Sequence, residues 1–155
     1  MTTTRRRFIH RTSLGLLSFT VAGSTVLLSP RAARARGADL KVLSDDEVAS
    51  LEAFGEALAP GARENGIAHF VDQQLSVDAN DALLMIKYFN VPPPYGDFYR
   101  AGLAALDGYS RAVHDKAFTA LSDAETKVLL DGLVASLGGA TPDSWQGPPD
   151  RKSVV

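Results

Sequence analysis

Twice the chain writes Leu-Ser-Asp-x-Glu ahead of apolar residues spaced by three and four: Leu43-Ser44-Asp45-Asp46-Glu47 and Leu121-Ser122-Asp123-Ala124-Glu125. A serine followed three residues later by glutamate is a capping box. The hydroxyl accepts from the backbone N–H of the third helical residue, and the carboxylate accepts from the serine N–H. Asp45 and Asp46 suit the positive end of the helix dipole, and Leu43 and Val48 are placed to staple the first turn. Val48, Leu51, Phe54 and Leu58 then mark one helical face, which Pro60-Gly61 ends. After the second box, Leu129, Leu130, Leu133 and Leu137 supply a face and Gly138-Gly139 stops it. The residues following the two boxes differ, so they are convergent caps and not a repeat.

Between the boxes, the spacing predicts a second helix over 62–75, with Ile67, Phe70, Val71 and Leu75 as its stripe. Gly66 weakens its first turns, which allows a start at Ile67 instead. A third helix is expected over 78–89, through Ala82, Met85, Ile86 and Phe89. Pro92-Pro93-Pro94 forbids helix and favours an extended strut. A fourth helix runs from Tyr95 or Gly96 to His114, where Phe98, Gly102, Ala105, Leu106, Tyr109 and Val113 recur at helical spacing. The small residues Ala101, Gly102, Ala104 and Ala105 would let another helix approach closely. Five amphipathic helices and no convincing alternating strand predict an all-α fold, a small bundle.

The 155 residues suit one domain with an appended segment, and there is no cysteine, which removes disulfides, thiolate metal sites and cysteine nucleophiles. Residues 1–35 carry six arginines and no acid, whereas residues 36–155 carry ten Lys/Arg against eighteen Asp/Glu, a net of −8. The basic charge is a terminal leader and not a folded face, which argues against nucleic acid as a partner.

The leader opens Thr4-Arg5-Arg6-Arg7-Phe8-Ile9-His10, continues with a diluted apolar run from Ser13 to Ser29, and closes on Pro30 and Ala33-Arg34-Ala35. Arg5, Arg6, Phe8 and Ile9 resemble the twin-arginine export consensus, with His10 where that consensus usually has lysine. Ala33 and Ala35 form a small-x-small pattern that predicts cleavage after Ala35. The run is near the lower limit for crossing a bilayer, so a retained membrane anchor is the alternative. The expected organisation is a signal over 1–35, a helical domain over 36–149, and a tail over 150–155. Asp150-Arg151-Lys152-Ser153-Val154-Val155 looks like the translation of a common sequencing adapter, so the natural chain is expected to continue past Pro149.

Catalytic constellations are missing from the sequence. His69 stands near Asp72, a candidate partner, but a lone histidine there is more often structural than a base. His114 falls in a last helical turn, where a cation complements the dipole. Asp78-Ala79-Asn80-Asp81 opens like a calcium loop but has Leu83 and Phe89 where the glycine and glutamate are required. There is no Gly-x-Ser-x-Gly elbow and no Gly-rich phosphate loop. What remains is surface: Tyr88, Phe89, Tyr95, Phe98 and Tyr99 cluster around the triple proline. Phe89 and Phe98 are expected in the core, and Tyr95, Tyr99 and Trp145 are expected to be exposed, as candidate partner contacts.

Leu43-Ser44-Asp45, Ala59-Pro60-Gly61-Ala62-Arg63-Glu64-Asn65-Gly66-Ile67, Phe70-Val71-Asp72-Gln73-Gln74-Leu75, Tyr99 to Asp107, Lys116 to Ser122 and Trp145-Gln146-Gly147-Pro148-Pro149 follow one another in an order that resembles the gluconate 2-dehydrogenase subunit 3 family. The resemblance implies a non-catalytic small subunit of a periplasmic dehydrogenase complex for sugars, sugar acids or alcohols. It implies a large GMC-type partner subunit carrying FAD, and often a cytochrome c subunit carrying haem c. The small chain would supply the signal read by the twin-arginine translocase, and the large chain would travel bound to it. Some relatives join the large chain through a cysteine, which this sequence lacks. Two competing readings are a freestanding periplasmic helical binding protein and an enzyme whose catalytic residues lie beyond Pro149.

Overall fold

The computed structural model describes residues 15–138. Arg5, Arg6, Phe8 and Ile9, and the tail with Trp145, lie outside the described residues. The chain forms β1 (Leu17–Val21), β2 (Ser24–Leu28), α1 (Pro30–Ala35), α2 (Asp45–Leu58), α3 (Ile67–Ser76), a 3-10 turn (Met85–Tyr88), α4 (Tyr95–His114), a second 3-10 turn (Phe118–Ala120) and α5 (Asp123–Gly138). It is a helical bundle with one small hairpin attached. Among the described residues, no helix is long and apolar enough to cross a membrane.

Both capping boxes form. Ser44 Oγ accepts from Glu47 N at 3.3 Å while Glu47 Oε2 accepts from Ser44 N at 2.8 Å. The same exchange links Ser122 and Glu125. Glu125 also takes a bond from Lys116 Nζ at 2.6 Å, and these donors hold its carboxyl down to about 2. Leu43 and Val48 meet in one cluster with Leu51, Ala68, Val71 and Leu103, where α2, α3 and α4 converge. A second cluster joins Leu106, Phe118 and Leu129 beneath α5. α2 and α3 cross closely at Gly55, where a Cβ would stand 2.7 Å from the Ile67 side chain. α3 begins at Ile67, the later of the two starts open to it, because Gly66 has φ +79° and cannot continue a right-handed helix backwards.

The expected helix over 78–89 does not form. Asp78 Oδ1 accepts from Asn80 N at 2.9 Å, a local turn that competes with helix. Gln74 Oε1 then takes Leu83 N at 2.6 Å, removing a donor that a helix would need. Burial alternates along the segment, from Ala82 at 0% exposed and Leu83 at 49% to Leu84 at 3% and Met85 at 67%. That is the period of an extended chain, not of a helix. Only the short 3-10 turn follows, so Met85 and Phe89 point outward instead of into the core.

Two strands also appear where none was expected. Within the leader run, β1 and β2 pair antiparallel with Leu17 opposite Leu28 and Val21 opposite Ser24. The two-residue loop, Ala22-Gly23, has φ +47° and +77°, as a tight I′-type hairpin demands. Leu17-Ser18-Phe19-Thr20-Val21 does alternate. Ser18 and Thr20, two of the residues that dilute the apolar run, alternate with the buried Phe19 on the outward side of β1.

Candidate partner interface

α4 carries apolar or small residues on two neighbouring stripes. Tyr99, Leu103, Leu106 and Ser110 turn inward: Leu103 joins the α2–α3 cluster, Leu106 joins the α5 cluster, and Ser110 Oγ donates to Lys116 O at 2.9 Å. Phe98, Gly102, Ala105, Tyr109 and Val113 turn to solvent. The sequence singled out the second set, with Leu106, by its helical spacing, and placed Phe98 in the core. The structure buries the first set, because its branched side chains fit between Leu51, Leu129 and Phe118.

The outward stripe borders a groove of about 380 Å³ between α2, α4 and α5. Phe54, Phe98, Gly102, Ala105, Tyr109 and Leu133 are among the residues that line it. A Cβ at Gly102 would meet nothing within 4 Å, so the floor is open there. Phe98 and Tyr99 stack edge to face at 6.0 Å, which steadies the rim. The flanking Ala101 and Ala104 are exposed as well. A small-residue floor between aromatic walls accepts a helix or an aromatic side chain. Its lining is uncharged and mostly apolar.

The sequence-named aromatics are redistributed. Tyr95 and Tyr99 are half-buried, and Tyr99 packs on the Leu43–Leu51 cluster. Burial pushes its phenol up. Phe98, at 48% exposed, and Phe89 face solvent, the reverse of the expected assignment, and Tyr88 is exposed beside them. The cause is the register of α4: beginning at Tyr95, it aims Tyr99 and Leu103 at the core and Phe98 away from it. Lys87 Nζ donates to Ala82 O at 2.7 Å and lies 5.3 Å over the Tyr88 ring.

His69 and Asp72 do not pair by hydrogen bond. Asp72 is buried and accepts three backbone N–H groups: Lys41 on Oδ2 at 2.9 Å, and Val42 and Leu43 on Oδ1 at 2.8 and 2.9 Å. Arg100 fixes the other side of that loop, donating to Val42 O at 2.8 Å and pairing with Glu47 at 3.1 Å. This clamp was not foreseen, because the loop and Asp72 are some thirty residues apart. His69 faces Phe19 at 6.5 Å, and burial lowers its pKa. His114 lies in the last turn of α4 with Arg111, at the negative end of the helix dipole. Among the described residues, no three His, Asp or Glu side chains converge into a metal site.

The model of the gluconate 2-dehydrogenase subunit 3 family matches residues 45–153. The chain belongs to that family. No curated protein and no solved structure matches it. In this subunit 3 chain, the matched span opens at Asp45, the first residue of α2, and takes in α2 through α5. Family membership makes the chain a subunit of a gluconate 2-dehydrogenase-like complex.

Proposed function

We propose that this subunit 3 chain is the non-catalytic small subunit of a flavin-dependent dehydrogenase complex and that the α4 groove seats the large subunit. The observation that carries this is the outward stripe Phe98–Gly102–Ala105–Tyr109, which has helical spacing and small central residues and is left largely exposed, with only Tyr109 reaching α5 at Gly132. A stripe of that shape left facing water is a binding surface. FAD belongs to the large subunit and haem c to a cytochrome c subunit. This chain's contribution is mass action: a folded partner that binds the native large subunit stabilises it.

The Arg5-Arg6 pair supports the second half of the reading, that the small chain brings the complex to the twin-arginine translocase and so to the periplasm. A folded, flavin-loaded large chain needs an exporter of folded cargo, and a bound small chain with that motif provides its address. The chain, tagged and expressed with its large subunit, is expected to capture a protein with flavin absorbance. Arg5→Lys with Arg6→Lys is expected to leave capture intact and to keep dehydrogenase activity out of the periplasm. A tagged chain that stays alone and instead binds a small apolar molecule in the groove would favour a freestanding binding protein.

A further inference from the structure

The N-terminal hairpin and α1 are built into the domain as tightly as any helix. Phe19, Leu28, Ala33 and Ala38 form a buried cluster, with Ala33 0% exposed. Ser29 caps α1, its Oγ accepting from Ala32 N at 3.2 Å, and Pro30 occupies the first turn. At the other end, Gly37 has φ +62°, Gly37 N donates to Arg34 O at 3.1 Å, and Ala38 N donates to Ala33 O at 2.9 Å. That pair of bonds is a Schellman stop. The unit is tied to the rest by Asp39 N to Thr20 O at 2.8 Å, Arg34 to Glu52 at 3.0 Å, and an Arg31–Glu64 ion pair. Gly66 is shaped to it: a Cβ there would stand 2.3 Å from Pro30 O. Phe19 covers His69.

We infer that residues 15–38 are a permanent part of the folded domain and that Ala33-Arg34-Ala35 is not a processing site in it. Proteases act on exposed, extended chain. Here Arg34 to Gly37 are exposed, but the would-be cut is not extended: it lies in the bonded stop of a capped helix, between the buried Ala33 and Ala38. Any address carried by Arg5 and Arg6 is then confined to the residues before Gly15. The inference is independent of which partner the chain binds.

The test is intact-mass and N-terminal analysis of the folded chain recovered from cells with a working twin-arginine route, together with amide exchange. The expected N-terminus lies at or before Gly15, with hairpin amides protected like those of α3. Phe19→Ala should still fold and should speed exchange of the hairpin amides by about a hundredfold or more. A folded product that begins at Arg36 would overturn the inference. So would hairpin amides exchanging at the rate of unfolded chain, or no change of exchange in Phe19→Ala.

Discussion

Replacing Asp72 by alanine removes one carboxylate and strands three backbone donors. The N–H groups of Lys41, Val42 and Leu43 all end on its two oxygens within 2.9 Å, and Leu43 N lies in the core, out of reach of water. A hydrogen bond to a charged group contributes about 1.5–3 kcal/mol, and a stranded buried donor costs about 1–3 kcal/mol. The two outer donors recover part of their loss by hydration. The sum for Asp72→Ala is therefore about 3–5 kcal/mol of stability, a large part of what holds a small domain. That corresponds to a fall of about 10–20 °C in the thermal midpoint for a domain of this length. Asp72→Asn keeps the volume and the oxygen that serves Val42 and Leu43, but turns an amide N–H₂ toward Lys41 N. Its cost is about 2 kcal/mol. Urea unfolding followed by circular dichroism reads both variants, with the slope held fixed as a check on two-state behaviour. A loss below about 1 kcal/mol for Asp72→Ala, or a greater loss for Asp72→Asn, would refute the clamp.

Further expectations follow from other contacts. Ser44→Ala removes a capping acceptor and should cost about 1 kcal/mol in the same urea assay. Gly102→Ala meets nothing within 4 Å and sits in the middle of an exposed helical face, so it should raise stability by about 1 kcal/mol. Glu125 has a folded pKa of about 2 against an ordinary 4.5, so its contribution is complete above about 4.5 and disappears as pH falls through 2. Glu125→Gln should flatten the acid limb of a midpoint-against-pH curve in that window. His69 shifts the other way: burial lowers its folded pKa below 6.5, so the unfolded chain takes its proton first and stability falls as pH drops below 6.5. His69→Phe should remove that slope if the variant keeps its midpoint near neutrality.

The parts of the fold that could be read from sequence are those specified locally. The capping boxes at Ser44 and Ser122 place their helices within a residue, and Pro94 followed by twenty helical residues places α4. Failure came where a distant residue intervenes. Gln74 captures Leu83 N and prevents the helix over 78–89, and nothing around Leu83 announces it. In the leader run, the glycines and hydroxyl residues mask a period-two pattern that Ala22-Gly23 folds into a hairpin. The candidate interface was half legible. Periodicity found Phe98, Gly102, Ala105 and Tyr109, but two adjacent apolar stripes on one helix leave open which stripe the core claims. Only the positions of Leu51 and Leu129 decide it. The same rotation of α4 buries Tyr99 and exposes Phe98.

The seating of the large subunit on α4 is tested most directly by placing a photo-crosslinking amino acid at Ala105 in the intact complex. A second chain carries it instead at Lys127, on the outer face of α5, where the native side chain pairs with Asp131 at 2.5 Å. Crosslinks to the flavoprotein from position 105 and none from 127 are expected. Equal crosslinking from both, or a flavoprotein captured in full by a chain that crosslinks only from 127, would contradict the account.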